Sequence, residues 1–383
     1  MGLEEYREII HRCFRCGYCK LTSDYNWRGF NCPEYNRFKV ESYSPGGMLW
    51  LSYAAFVTGE LKPDQHLSEI IYSCSMCGNC SAQCRFKFGT MVTEMLRRTR
   101  EEIVENHPEL IPSIVKRFFQ NVFKYGNPYG SVEENENLKS EIPLFNEQEY
   151  LLFISPLSFF DPLVTESALS LIRLFKKLNI SFGTPGYEEI CDGNEILMLG
   201  EKYLFKEIKK RNIEFMHSKG VKKIVTYSPH TYNAMKNYYK LEGIEVLHYT
   251  QLLAEKVKKI RIKERFDKKI TYHDPCFLGR YNGIYEEPRK ILRYVAEENF
   301  VEMPRNRENS FCCGGGGGNF YTDFVGGGKD SPPRVRIREA LSTGAEVVAV
   351  ACPICKMMLT SGVKDEAADL NVLDISEILL PLL

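Results

Sequence analysis

From Tyr150 onward, short apolar runs rich in β-branched residues alternate with longer stretches of helical period. Tyr150–Ile154, Lys222–Tyr227, Lys269–Tyr272 and Glu346–Val350 read as strands, and Glu166–Leu178 reads as a helix. Such alternation predicts parallel sheets with helices on their faces, an α/β class. The first 125 residues show no strand pattern. Met48–Val57 is an apolar stretch of helical length. Met91, Met95, Leu96, Ile103 and Val104 mark one helical stripe, and Ile111, Ile114, Val115, Phe118, Val122 and Phe123 mark another. Residues 126–149 are turn-rich and acidic, with Asn127-Pro128-Tyr129-Gly130 and then Glu133, Glu134 and Glu136, and read as a linker.

The strand-and-helix half repeats itself. Gly220-Val-Lys-Lys-Ile-Val-Thr-Tyr-Ser228-Pro229 lies without gaps over Gly344-Ala-Glu-Val-Val-Ala-Val-Ala-Cys352-Pro353. Leu247–Leu253 lies over Leu373–Leu379 at nearly the same distance from the Ser/Cys-Pro step. The expected organisation is a helical domain at 1–125, a linker at 126–149, and two copies of one α/β unit at 150–260 and 268–383.

Composition adds exclusions. A chain of 383 residues suggests two or three domains at roughly 150 residues each. Fifty Lys and Arg balance fifty Asp and Glu, which argues against binding nucleic acid by neutralising phosphates. No apolar run approaches the length that spans a bilayer, so membrane contact is expected only through a partner. The opening residues are polar and acidic, unlike a secretory leader, and a cytoplasmic location is expected. Lys and Arg runs at 206–211 and 256–265 read as solvated helix faces.

Cysteine is the outlier. There are 14, and in a reducing compartment that points to metal or redox chemistry rather than disulfides. Cys13-x2-Cys16-x2-Cys19 is followed by Cys32-Pro33, and Cys74-x2-Cys77-x2-Cys80-x3-Cys84 repeats the run. Three cysteines spaced by three wrap one face of a four-iron cube, and a fourth comes from elsewhere; this resembles a two-cluster ferredoxin, where the fourth cysteine of each run serves the other cluster. By position, Cys13, Cys16, Cys19 and Cys84 would hold one [4Fe-4S] cubane, and Cys74, Cys77, Cys80 and Cys32 the other. Gly17 and Gly78 would let the backbone pass close to the sulfurs. Structural zinc prefers separated Cys pairs and fits the triple runs poorly. Two features depart from the ferredoxin pattern: twelve residues separate Cys19 from Cys32, and Arg85 stands where proline usually follows Cys84.

The second copy carries Cys276, Cys312-Cys313-Gly314 and Cys352-Pro353-Ile354-Cys355. These residues resemble the CCG-domain proteins, which include the B and D subunits of heterodisulfide reductase and the iron–sulfur subunit of glycolate oxidase. With a double-cluster ferredoxin in front, the layout is most similar to the D-type subunit. The resemblance implies that Cys276, Cys312, Cys313, Cys352 and Cys355 bind one noncubane [4Fe-4S] cluster. Such ligands can converge at the carboxyl ends of parallel strands, and Pro353 would open a helix whose N-terminus favours thiolate at Cys352. In the first copy the matching places hold Ser158, Cys191, Asp192, Ser228 and Thr231, so that copy is expected to lack a cluster and to leave Cys191 a buried thiol.

Around the intact motif, His273, Asp274, Arg280 and Gly314 are candidates to hydrogen-bond sulfurs or a bound anion. Phe277 stands where many members of the resembled family carry histidine. The glycine run Gly314–Gly318 suggests close approach of backbone to a cluster, substrate or partner, and it does not form a nucleotide-binding fingerprint. The expected function is that of an electron-transfer subunit in an anaerobic oxidoreductase complex. It would relay electrons between two cubanes and a noncubane cluster, with a flavoprotein or another iron–sulfur subunit as partner. The alternative is a catalytic thiol–disulfide reductase working with a single noncubane cluster.

Overall fold

A computed structural model describes residues 3–22, 29–131 and 136–383. The N-terminal part is helical. Its principal helices are Pro45–Phe56, Gln65–Ser73, Val92–Asn106 and Ser113–Tyr125, close to the stripes read from the sequence. Ser44 caps the first by accepting from the Gly47 amide, and Asp64 caps the second by accepting from Leu67, each satisfying an orphan donor of the first turn. Met95, Leu96, Ile103, Val115, Phe118 and Val122 are all buried between these helices.

Two parallel sheets follow. The first has β1 (Tyr150–Phe153), β2 (Phe182–Gly183), β3 (Lys223–Thr226) and β4 (Glu245–His248) in the order β2-β1-β3-β4. The second has β5 (Ile270–Tyr272), β6 (Val347–Val350) and β7 (Asn371–Asp374) in the order β5-β6-β7. A parallel bridge from Ile270 to Phe300 supplies the counterpart of β2. All pairings are parallel. Strands β1 and β6 are buried along their whole length, as a sheet covered on both faces requires.

The repeat holds down to capping. Ser228 and Cys352 are both N-caps followed by proline at the first helical position, opening helices Pro229–Asn237 and Pro353–Asp365. His248 and Asp374 end β4 and β7, and each caps the next helix in a reciprocal box with Gln251 or Glu377. The two copies touch there: the Tyr249 hydroxyl donates to both Asp374 oxygens at 3.0 and 2.9 Å.

Part of the stretch read as a linker packs on the first copy. Leu144 bridges Thr184 beside β2, Gly126 O accepts from the Cys191 amide, and Ile142 and Phe145 are buried. Glu133 and Glu134 lie outside the described residues. No helix among the described residues is long and apolar enough to cross a membrane.

Candidate metal centres

The two ferredoxin-like runs fold into matching loops. Arg15 and Met76, each just before the second cysteine of its run, take φ +52° and +50°; Gly17 and Gly78, just after it, take +82° and +74°. A side chain rarely tolerates this left-handed backbone, which is why glycine follows both cysteines. Cys13, Cys16, Cys19 and Cys84 line one small cavity with Phe14, Phe86 and Gly46. The Gly46 amide, in the first turn of Pro45–Phe56, hydrogen-bonds the Cys19 sulfur. Gly89 backs the same cradle, because a Cβ there would lie 2.7 Å from Cys84 Cβ. Cys16 is exposed.

The second four, Cys32, Cys74, Cys77 and Cys80, are all buried. Burial pushes the Cys32 and Cys74 thiols well up, and Cys80 up to about 12. The Cys32 thiol is also raised by Cys77 and Cys74, so these three lie within electrostatic reach of one another. Cys32 Sγ donates to the buried Glu34 carboxylate at 3.3 Å, and Glu34 accepts from the Ser75 amide at 2.6 Å, which pins the second loop to the Cys32-Pro33 turn. Buried thiols with such raised pKa values ionise only beside a strong positive charge, which a bound metal would supply. The two groups of four are neighbours, since Cys80 acts on the charge of Cys19.

The third group gathers at the carboxyl ends of β5 and β6. Cys276, Cys312, Cys313, Cys352 and Cys355 are buried together. Cys312 is hydrogen-bonded to Cys276 and Cys313, and Cys313 Sγ lies 3.4 Å from Cys355 Sγ. Hydrogen bonds from Cys312 and Cys355, with help from His273, hold Cys313 well below the ordinary thiol range. Burial acts to raise Cys352, but bonds from Cys355 and His230 outweigh it and bring this thiol to about 6. Five soft donors in one pocket exceed the four of structural zinc and suit an iron–sulfur group. Cys77 reaches this pocket too: its side chain hydrogen-bonds Cys312.

The four flanking candidates divide. Gly314, at φ +88°, donates its amide to Cys312 Sγ at 3.3 Å. His273 stands with Cys313 and Cys355, their ligand atoms all within 4.8 Å. Arg336 Nε donates to His273 Nδ1 at 3.0 Å. Arginine cannot accept, so Nδ1 is the acceptor and the proton sits on Nε2, free to donate to sulfur. Asp274 faces the other way, as consecutive residues at a strand end do. Both its oxygens take Arg289, at 2.6 and 2.8 Å, and one also accepts from the Arg307 amide, so the expected bond from Asp274 toward the sulfurs is not formed. Arg280 bonds carbonyls rather than sulfurs, reaching Cys77 O at 3.3 Å and Glu308 O at 2.9 Å, together with Ser310 O. It ties the Cys77 loop to the segment before Cys312.

The first copy retains the geometry without the donors. Gly193, at φ +81°, gives its amide to Cys191 Sγ at 3.4 Å, as Gly314 does to Cys312. Asp192, in the place of Cys313, accepts from Thr231 Oγ1 at 2.8 Å and from the Asn194 amide at 2.7 Å. Ser158 Oγ is spent on Ile154 O at 2.6 Å. Burial pushes the Cys191 thiol well up.

Two residues were missed in the sequence. His230, the counterpart of Ile354, crosses to the intact motif and hydrogen-bonds Cys352. Its ring packs 4.5 Å from that of Phe277, and Glu195 holds its Nδ1 at 2.6 Å. An imidazole thus reaches the site from the other copy where Phe277 occupies the local position. The available signal was the repeat alignment, which puts His230 two residues after Ser228. Arg100 is the other. It is fully buried and donates to the carbonyls of Ile71, Tyr72, Cys74, Met198 and Gly317.

A 4Fe-4S dicluster domain model matches residues 9–88, and a cysteine-rich domain model matches 159–236 and again 270–360. The chain belongs to the family of iron–sulfur proteins that join these domains, the CCG-domain family that includes the D-type subunit of heterodisulfide reductase. Among its relatives, the D-type subunit of the dihydromethanophenazine:CoB–CoM heterodisulfide reductase of Methanosarcina acetivorans is 30% identical over 404 residues, covering 96% of this chain and 92% of that one. The EtfAB:quinone oxidoreductase of Syntrophomonas wolfei is 33% identical over 336 residues, covering 82% of this chain and 46% of its own length. A Bacillus subtilis protein named "Probable iron-sulfur-binding oxidoreductase FadF" matches equally well, at 33% identity, 81% of this chain and 46% of that protein. The chain therefore spans about half the length of these last two. A crystal structure of a hypothetical protein from Helicobacter pylori shares the fold, with TM-score 0.55 at 11% identity over 88% of this chain and 67% of that one.

Proposed function

We propose that the chain is an iron–sulfur electron-transfer subunit of an oxidoreductase complex in an anaerobic metabolism. Cys13, Cys16, Cys19 and Cys84 would hold one cubane, Cys32, Cys74, Cys77 and Cys80 a second, and Cys276, Cys312, Cys313, Cys352 and Cys355 a noncubane [4Fe-4S] group. Clusters bound there would supply one-electron transfer at potentials set by their surroundings. The observation that carries this reading is the unbroken succession of sulfurs, from exposed Cys16, through Cys19 beside Cys80, to Cys77 on Cys312. Contacts between the segments would keep those steps short and dry. Arg280 and Arg100 tie the Cys74–Cys77 loop to the second copy. Gly316 and Gly317 let the backbones meet, because a Cβ on either would lie 2.6 Å from the carbonyl oxygen of Ser75 or Cys74. Gly314, His273 and His230 direct N–H groups at sulfur, which favours the more negative, reduced state. The partner would be a flavoprotein or another iron–sulfur subunit, in keeping with relatives named as an EtfAB:quinone oxidoreductase and as part of a heterodisulfide reductase.

A second reading, a thiol–disulfide reductase using the single noncubane group, is favoured by a small cleft beside His230, whose ring hydrogen-bonds Cys352. It is lined by Cys191, Asp192, Ser228, His230 and Ile354, and its volume of about 40 Å³ would have to widen to admit a substrate toward Cys352. One experiment tests the first reading and separates the two. Anaerobically purified protein should carry about 12 irons per chain, three groups of four. Cys77→Ser should stop partner-driven reduction of the C-terminal group and leave it reducible by a small donor. Partner-driven reduction at the normal rate, or stoichiometric zinc with little iron, would overturn the relay. Turnover of a disulfide by this chain alone would establish the second reading.

A further inference from the structure

The relay needs an inlet, and the surface around Cys16 has a distinct chemistry. Among the cysteines that line the three sites, Cys16 is the exposed one. Beside it Phe14 is 76% exposed, Tyr18 52% and Phe86 37%, and Phe14 packs on Phe86 with ring centroids 5.3 Å apart. Solvent-facing aromatic rings clustered in this way cost free energy unless something covers them. The charge is one-sided as well. The two stretches that build this cradle, residues 9–22 and 84–93, contain Arg12, Arg15, Lys20, Arg85 and Lys87 and no Asp or Glu, in a chain whose total charge is zero. Arg12 is tied to Glu8 and Lys20 to Glu41, and Arg15 lies over the Trp50 ring at 3.8 Å. Arg85 and Lys87 flank Phe86 and are exposed.

Resting on the relay reading, we propose that this face docks an acidic redox protein, which packs on Phe14, Tyr18 and Phe86 and is steered by Arg15, Arg85 and Lys87. An apolar centre with a cationic rim is the anatomy of a transient protein interface. An anionic membrane would also meet basic and aromatic residues, but lipid carries no electron, and Phe14 and Phe86 line the same cavity as the four cysteines whose cluster would receive one.

The test uses the full chain loaded with iron and sulfide under anaerobic conditions. A strongly acidic plant-type ferredoxin, photoreduced, is the donor, and the second-order rate of reduction is read against salt. The rate should fall about tenfold or more between low and high ionic strength, as steered association does. Arg85→Glu with Lys87→Glu, compared at equal iron content, should slow it by a similar factor at low salt. Lys206→Glu with Lys210→Glu, on a distant helix, should not change it. Phe14→Glu provides a second variant, and equilibrium binding of oxidised ferredoxin to the iron-loaded chain provides a readout independent of the electron-transfer rate. A salt-independent rate, or wild-type rates and binding in both variants, overturns the proposal. So does tight binding to phosphatidylserine vesicles, lost in the double variant while the ferredoxin rate stays normal. If photoreduced deazaflavin cannot reduce the wild-type chain either, the relay reading fails; ferredoxin binding and its loss in the double variant still decide the docking face.

Discussion

Replacing Arg100 should loosen the joint between the helical part and the two α/β copies. Arg100 lies on Val92–Asn106 and is fully buried. Its guanidinium donates to Ile71 O at 3.1 Å and Tyr72 O at 2.9 Å. These carbonyls belong to the last turn of Gln65–Ser73, where no intrahelical donor remains. It also reaches Cys74 O at 2.6 Å, Met198 O at 3.0 Å and Gly317 O at 3.2 Å, so one side chain holds the first cysteine of a loop, the first copy and the glycine run. Burial lowers its pKa, and Cys74 and Tyr72 oppose that shift. In Arg100→Met five carbonyls lose a charged donor. At ~1–3 kcal/mol for each buried group left unsatisfied, the ceiling is high. Carbonyl oxygens keep a second lone pair, and removing a buried charge recovers desolvation energy, so the expected net loss is roughly 3–5 kcal/mol. Arg100→Lys, with three donors instead of five, should lose about half of that. Urea unfolding of the cluster-free reduced chain gives the magnitude, and amide exchange shows where it falls: Gly318–Asn319 and the Cys74–Cys77 loop should lose protection first. Unchanged exchange at both places, with stability within about 0.5 kcal/mol of wild type, would refute the assignment of this residue as the joint.

Three further outcomes are expected. His230→Phe should leave iron content intact and lower the midpoint potential of the C-terminal group by tens of millivolts. A hydrogen bond to a charged group is worth ~1.5–3 kcal/mol, and only part of it differs between redox states; an unmoved potential in a redox titration would remove His230 from the site. His248 is held neutral by burial, its pKa lowered to about 3, while its Nε2 donates to Tyr227 O and its Nδ1 accepts from Thr250. A depressed folded value means stability is present above the unfolded value near 6.5 and is lost as pH falls toward 3, by up to about 4–5 kcal/mol. His248→Asn should therefore flatten the decline of the urea midpoint between pH 7 and pH 4, and an unchanged slope would show that other groups cause it. Cys191→Ser should leave iron content and the EPR spectrum unchanged, because its neighbours Asp192, Ser228 and Thr231 offer hydroxyl and carboxyl oxygens; loss of iron would mean that the first copy holds metal after all.

The cysteine spacing and the repeat register were legible because they are local. A loop such as Cys74–Cys77 closes on itself, and the Ser228/Cys352 step falls at the end of β3 and β6 in both copies. The joints between segments were not legible. Arg100 looks like one more charge on an amphipathic helix, and nothing near it in sequence signals that its partners lie 26 to 217 positions away. His230 was hidden for the same reason, because its partner Cys352 belongs to the other copy. Asp274 misled by adjacency. It is two residues from Cys276, but the strand end turns it toward Arg289. Sequence proximity is a guide to shared function only where the backbone turns both side chains to the same side.

The first copy is better understood as rebuilt than as decayed. A motif that had merely lost its thiols would leave the replacements buried without partners, at a cost of ~1–3 kcal/mol each. Instead Asp192 is satisfied by Thr231 and Asn194, and the Asn212 amide takes Cys191 O at 3.0 Å while the Tyr239 hydroxyl takes Asp192 O at 2.8 Å. Glu195 occupies the place that Gly316 holds in the second copy. It accepts from the Gly318 amide at 2.5 Å, gripping the glycine run that passes over the intact motif. The same carboxylate holds His230 against Cys352. Glu195 and His230, which stand in the places of Gly316 and Ile354, are thus aimed across the interface between the copies. The geometry gives this copy a reason to persist: it presents an imidazole and a carboxylate to its neighbour from a direction that the neighbour's own residues, Ile354 and Gly316, cannot supply.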